Sequence, residues 1–164
     1  MGNPVEMKVV VELAGFEDKA VVRRLMELYH YDFTEFLPLE LNEHGEFGYR
    51  YLDHYWAADE RETRLPFLVR ADGKLAGFAF VRRKGDGPWK MAEFFVMRQY
   101  RRAGVGSQAA RAVFAQCAGA WEVHQVLTNT PAQAFWRRVI GEVTGGHFED
   151  ETDDSVTQRF TIAD

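Results

Sequence analysis

Apolar positions along the chain change their period several times, and each change marks an element. "MKVVVEL", Met7 to Leu13, is short and β-branched and predicts a first strand ending near Gly15. In "FEDKAVVRRLMELYHYDF" the period lengthens. Val21, Val22, Leu25, Met26, Leu28 and Tyr29 recur at helical spacing, with Glu17 and Asp18 in the first turn, at the positive end of the helix dipole. Pro38 stops any continuation. "LPFLVRADGKLAGFAFVRR" predicts a hairpin, with strands Pro66 to Val69 and Leu75 to Val81 around the turn Ala71-Asp72-Gly73-Lys74. A turn in "KGDGPW" leads to a strand from Lys90 to Met97. A glycine-bearing loop follows, then a helix to about Ala118, a strand "WEVHQVLT" and a helix from about Pro131 to Ile140. Pro131 suits a first turn, where its missing amide hydrogen is not needed. A final β stretch lies between His147 and Ile162.

The segment from Glu35 to Glu62 fits neither period. It carries eight carboxylates against two arginines, and nine rings crowd it and the end of the preceding helix: Tyr29, Tyr31, Phe33, Phe36, Phe47, Tyr49, Tyr51, Tyr55 and Trp56. Two readings stay open here. One is a loop and short helix with solvated acids and core-filling rings; the other is an aromatic, acidic pocket for a cationic ligand.

Composition narrows the class. A chain of 164 residues with 46% hydrophobic positions is long enough to bury a core, and no repeat or linker divides it, so a single domain over residues 1–164 is expected. A net charge of -5 supplies no basic face for phosphates, which argues against nucleic acid as a partner. One cysteine, Cys117, excludes an intrachain disulfide and a cysteine zinc site, and suits a reducing cytoplasm. No apolar run is long enough to span a membrane, and the N-terminus lacks the charged start and apolar middle of a secretory signal. Glu6 breaks the myristoylation pattern that Met1-Gly2 begins. A soluble cytoplasmic protein with no membrane partner is the expectation, with room for a homodimer. His30, His44, His54, His124 and His147 show no metal-ligand spacing, so no metal is expected.

"AEFFVMRQYRRAGVGSQAARAVF" carries the strongest chemical signal. Gly104 and Gly106 let the backbone approach a ligand without a Cβ in the way, and the first amides of the helix behind them are unpaired donors at its positive end. Such a loop suits phosphate. It lacks the Gly-Lys-Ser/Thr ending of a Walker loop, and Gln108 or Ala109 stands where a Rossmann fingerprint needs a third glycine.

Together with its flanks, "FFVMRQYRRAGVGS" resembles the acetyl-CoA-binding signature of the GNAT N-acetyltransferase superfamily, Gln/Arg-x-x-Gly-x-Gly/Ala after a β-strand. The match is Arg101-x-x-Gly104-x-Gly106. Downstream, "NTPAQAFWRR" is similar to the family's Asn-x-x-Ala-x-x-Phe-Tyr stretch, with Asn129, Ala132 and Phe135 in place. The order of predicted elements also matches over nearly the whole chain. The resemblance implies an α/β (α+β) fold whose mostly antiparallel mixed sheet, flanked by helices, splays around acetyl-CoA as cosubstrate. Main-chain groups of Phe95, Val96 and Met97 would pair with the pantetheine arm, and the amide of Val96 or a neighbour would polarise the acetyl carbonyl. Amides of Arg101, Arg102, Ala103, Gly104, Val105, Gly106 and Ser107 would hold the pyrophosphate. The side chains of Arg101 and Arg102 would either add charge there or remain solvated. Asn129 would bond the arm or main chain, and Phe135 and Trp136 would pack along it.

In "MAEFFVM" strand alternation places Met91, Glu93 and Phe95 on one face and Ala92, Phe94 and Val96 on the other. A carboxylate in apolar company is either satisfied structurally or raised in pKa for proton transfer. Glu93 therefore stands as general base or as a structural or substrate-ordering acid. The reading that results is direct acetyl transfer to the primary amine of a small molecule, with Tyr29, Tyr31, Asp32, Asp53 and Trp56 on the acceptor side. Trp136 stands where the family commonly has a tyrosine that protonates the departing thiolate, and an indole cannot donate a proton near neutral pH. The alternative reading draws on that: a catalytically weak acyl-CoA-binding sensor or partner domain.

Overall fold

The computed structural model describes residues 6–164, and the Met1-Gly2 start weighed above for acylation lies outside them. Its elements run β1 Val9–Leu13, α1 Lys19–Phe33, β2 Arg64–Ala71, β3 Lys74–Arg82, β4 Trp89–Val96, α2 Val105–Gln116, β5 Gly119–Val126, α3 Thr130–Thr144, β6 Glu149–Thr152 and β7 Ser155–Ile162. The seven strands form one sheet in the order β1-β2-β3-β4-β5-β7-β6, antiparallel at every junction except β4–β5. This is the mixed, mostly antiparallel sheet expected from the resemblance.

Helices cover both faces. Val22, Leu25 and Met26 of α1 pack on Leu68, Phe78, Phe80 and Phe95. On the opposite face Val113, Phe114, Trp136, Val139 and Ile140 of α2 and α3 meet Phe67, Ala79, Val81, Trp121 and Val123. β3 is buried from both sides and therefore reads as an almost unbroken apolar run. The β2–β3 hairpin turns on two residues, Asp72 and Gly73, with φ of 49° and 79°, the pair of left-handed conformations that matches strand twist. The last β stretch is itself a hairpin, β6 folding back on β7.

Between α1 and β2 the chain makes only short 3-10 turns at Leu52–Trp56 and Ala58–Glu60. α1 anchors this segment: the Glu27 carboxylate accepts the backbone N–H of Phe47 at 2.8 Å and of Gly48 at 3.1 Å.

β4 departs from simple alternation. Val81 of β3 pairs with Met91 and Phe80 with Glu93, so Ala92 is an extra residue, a β-bulge. Met91 therefore turns into the α2–α3 core, while Glu93 and Phe95 face α1. The expectation that Met91 and Glu93 share a face is corrected: the inserted residue shifts the parity of everything after it. Below this point β3 and β4 lie very close. A Cβ on Gly77 would stand 1.9 Å from the Phe95 carbonyl oxygen. Gly77→Ala is expected to cost about 3 kcal/mol, at the upper end for overpacking, and to lower Tm by roughly 6–12 °C in a calorimetric scan.

Candidate active site

β4 and β5 begin as a parallel pair, Trp89 opposite Trp121 and Lys90 opposite Glu122, and their pairing stops there. Beyond it the strands separate around a cavity of about 920 Å³, within the range of small-molecule sites. Residues 91–96 of β4 form one wall and residues 123–126 of β5 the other. Tyr29, Asp32 and Phe33 of α1 close one side, and Phe135 and Trp136 of α3 close the opposite side.

At the mouth the chain makes an anion cradle. Gly104 caps α2 in the left-handed conformation, φ 78°, and Arg102 is also left-handed at φ 66°. The backbone amides of residues 102–107 find no protein acceptor in hydrogen-bonding geometry among the described residues. Successive free amides in such a turn, at the start of a helix, concentrate positive potential on one spot. Gly106 sits against Phe135: a Cβ there would come within 3.2 Å of the ring.

Deeper in, the bulge aims Glu93 at α1, where the Tyr29 hydroxyl donates to its carboxylate at 2.6 Å. Burial pushes the Glu93 carboxyl above the ordinary carboxylate range, and hydroxyls of Tyr29 and Tyr49 only partly oppose that. Burial, then the neighbouring carboxylate, raises the Tyr29 hydroxyl well above a normal phenol. Tyr29 therefore stays a neutral hydrogen-bond donor to the Glu93 carboxyl.

A family model described as "Acetyltransferase (GNAT) family" matches residues 23–141, which run from α1 through most of α3. The chain belongs to this family. GNAT proteins use acetyl-CoA, and this chain is accordingly an acetyl-CoA-dependent acyltransferase. Among curated proteins none matches. Among solved structures, an acetyltransferase from Thermus thermophilus aligns with a TM-score of 0.69 at 14% identity, over 96% of this chain and 99% of that one. The acetyl transfer enzyme of Salmonella typhimurium that modifies the N-terminal serine of ribosomal protein L7/L12 aligns at 0.69 and 12% identity, over 97% and 98%. The PaiA N-acetyltransferase of Thermoplasma acidophilum, in complex with coenzyme A, aligns at 0.65 and 12%, over 94% and 99%. At these identities the likeness is one of fold.

On this GNAT scaffold the residues expected at the site fall into three groups. Phe95, Val96, Arg101, Arg102, Gly104, Gly106, Ser107, Asn129, Phe135, Trp136, Glu93, Tyr29 and Asp32 all line the cavity. Val105 is buried beneath the cradle, while Met97 and Ala103 flank it without lining the cavity. Three residues expected on the acceptor side stand away from the lining. Asp53 is 88% exposed at its side chain and pairs with Lys19 at 2.6 Å; Tyr31 is 68% exposed; Trp56 donates its indole N–H to the Ala14 carbonyl at 3.0 Å. The acidic segment thus divides: Tyr49, Tyr55 and Trp56 fill core around Phe80, and most of its acids point to solvent.

Asp32 does reach the cavity, but it is already engaged. It accepts from Arg98 at 2.7 Å and Arg101 at 2.5 Å, and Arg101 Nε donates to the Val96 carbonyl at 2.9 Å. Burial alone would raise the Asp32 carboxyl, yet the two guanidinium groups outweigh it and hold it below the ordinary range. This chain of contacts ties α1 to the end of β4 beside the cradle. The Asn129 side chain accepts the Ala132 amide at 3.1 Å and so caps α3. Trp136 is only 5% exposed, edge-on to Phe94 with centroids 5.0 Å apart. Cys117 is buried past the end of α2, and burial pushes its thiol up to about 11, which makes it no nucleophile.

Several lining residues were not among those expected, Gln125, His124 and Arg138 among them. For Gln125 a signal was present, since it shares a period-2 face with Trp121 and Val123 and is the polar member of that apolar set.

Proposed function

We propose that the protein transfers the acetyl group of acetyl-CoA directly to the primary amine of a small molecule, with Glu93 as general base. The observation that carries this reading is the bulged β4: it turns a buried carboxylate of raised pKa into the gap between separated strands, where an acyl group and an amine can meet. Acetyl-CoA supplies the activated acyl group and a thiol leaving group. The chain's own residues bind, orient and move a proton. The amides of residues 102–107 suit the pyrophosphate, Phe135 and Trp136 offer an apolar wall for the pantetheine arm, and the main chain of Phe95 and Val96 lines the end where the carbonyl is held, the amide of Val96 being the candidate donor because that of Met97 is spent on the Ala76 carbonyl. Glu93 Oε accepts the amine's proton, and Tyr29 keeps that carboxylate oriented.

A tie across the acceptor side supports a small amine. Thr128 Oγ1 donates to the Phe36 carbonyl at 2.9 Å, which ties the segment after α1 to the end of β5 across the cavity. A folded protein surface has little access under that tie, whereas a small amine does.

The test has two stages. Thermal shift with acetyl-CoA, CoA and an unrelated nucleotide reads cofactor recognition. Thiol release is then measured across an amine panel that includes a peptide with a free N-terminal serine. Turnover of small amines and not of the peptide is the expected result. Turnover of the peptide alone overturns the acceptor class, and binding without release on any amine favours the acyl-CoA sensor.

A further inference from the structure

β5 and β7 bury two glutamines in an otherwise apolar wall, and acetyl transfer as described above uses neither. Gln125 is 5% exposed and Gln158 is fully buried. Burying an amide is costly unless its bonds are made. The two are locked to each other: Gln125 Nε2 donates to Gln158 Oε1 at 2.7 Å, and Gln158 Nε2 donates to Gln125 Oε1 at 3.0 Å. Gln158 also donates to Asp150 Oδ1 at 3.0 Å, and Asp150 accepts from Arg137 Nε of α3 at 2.9 Å. Gln158 therefore has its donors and acceptor satisfied. Gln125 keeps one N–H without a protein acceptor among the described residues, and Gln125 lines the cavity.

Its level in the cleft decides what that N–H can reach. Counting from the Lys90–Glu122 pair, with Ala92 as the extra residue of the bulge, Gln125 stands level with Phe94. Phe94 lies next to Glu93 in sequence and packs on Trp136. Gln125 shares the α3 side of the sheet with Trp121, Val123 and Trp136, whereas Glu93 faces α1. A proton acceptor on the α1 side and a fixed neutral donor on the α3 side thus flank the gap from the two faces of the sheet.

We propose that Gln125 donates its free N–H to the sulfur of CoA and holds the departing thiolate. This rests on the acetyl-CoA reading above. In acyl transfer to an amine the carbon–sulfur bond breaks with its electron pair kept on sulfur, a carbon–nitrogen bond forms, and the amine's proton goes to Glu93. Trp136 has no proton to give the sulfur at neutral pH. A neutral donor suffices, because a thiol is far more acidic than an alcohol and leaves readily as an anion, and a hydrogen bond to a charged group is worth more than one between neutral groups. The reciprocal pair with Gln158 keeps the amide turned toward the sulfur at no cost in reorganisation.

The test is calorimetric binding of CoA and desulfo-CoA from pH 7 to pH 10, read at the alkaline end, where ionisation of the free thiol is greatest. The parent is expected to bind CoA roughly tenfold more tightly than desulfo-CoA, as one charge-assisted hydrogen bond provides. Gln125→Leu/Gln158→Leu replaces both amides at once and leaves only the exposed Asp150 short of a bond. In this variant the ratio should fall to near one while desulfo-CoA affinity holds. Gln125→Glu keeps an acceptor for Gln158 and sets a like charge against the thiolate, so its ratio should drop below one. A parent ratio near one, an unchanged ratio in either folded variant, or equal weakening of both ligands would overturn the proposal. Failure of both ligands to bind the parent sinks the cofactor reading and this assignment with it.

Discussion

Glu93→Gln is expected to lower kcat/KM by about 10²–10⁴-fold, the span of general base catalysis, while raising Tm at pH 7.5. Both effects come from one fact, that Glu93 is buried and its pKa is raised by burial. The raised pKa makes the ionised carboxylate a better base for an amine. The same burial makes that ionised form costly to the fold. The sign follows from linkage: a group whose folded pKa lies above its unfolded value stabilises the fold at pH below the unfolded value and loses that contribution as pH rises through the folded one. At pH 7.5 the parent therefore carries a penalty that glutamine does not, and glutamine still accepts the Tyr29 hydroxyl. As pH falls toward about 4 the carboxyl takes up a proton and the stability gap closes. Activity of the parent should fall on the acid side of the Glu93 pKa. Steady-state rates on the best acceptor in the amine panel, with thermal scans at pH 5 and 7.5, check all three. Unchanged kcat/KM in the variant would remove Glu93 from the chemistry.

What could be read from the chain before folding was local. Asp72-Gly73 between two apolar runs specified the β2–β3 hairpin, and the Gly104 and Gly106 spacing before a small-residue helix marked the cradle. Both depend on backbone conformation within a few residues. The bulge at Ala92 was not legible, because it exists only in the register between β3 and β4, and nothing in "MAEFFVM" marks which residue is extra. That one residue decides which face Glu93 takes. Nor could composition sort the acidic segment. Asp32 and Asp53 look alike in the sequence, yet α1 carries Asp32 into the cleft and a surface 3-10 turn carries Asp53 away. The polar Gln125 on an apolar face was visible, but its partner Gln158 lies in a final β stretch whose turn at Asp153-Asp154 had to be placed before the two could be brought together.

Gly104→Val is expected to weaken acetyl-CoA binding by about 100-fold or more, roughly 3 kcal/mol, with the fold kept. The cause is conformational and not steric. Gly104 holds φ 78°, and a Cβ placed there would meet nothing nearer than Gln108 Nε2 at 3.8 Å. Valine, branched at Cβ, is an outlier in this region. The turn would have to change, and the amides of residues 102–107 would no longer converge. Gly104 is exposed, at the edge of the sheet's packing, so the core has no stake in its conformation. Asparagine tolerates the left-handed region far better than other side chains, so Gly104→Asn is expected to lose about tenfold or less. Calorimetric titration with acetyl-CoA, alongside far-UV circular dichroism to confirm folding, separates the cases. Equal losses for asparagine and valine would show that the missing Cβ matters in itself, and unchanged affinity in folded Gly104→Val would mean that the pyrophosphate sits elsewhere.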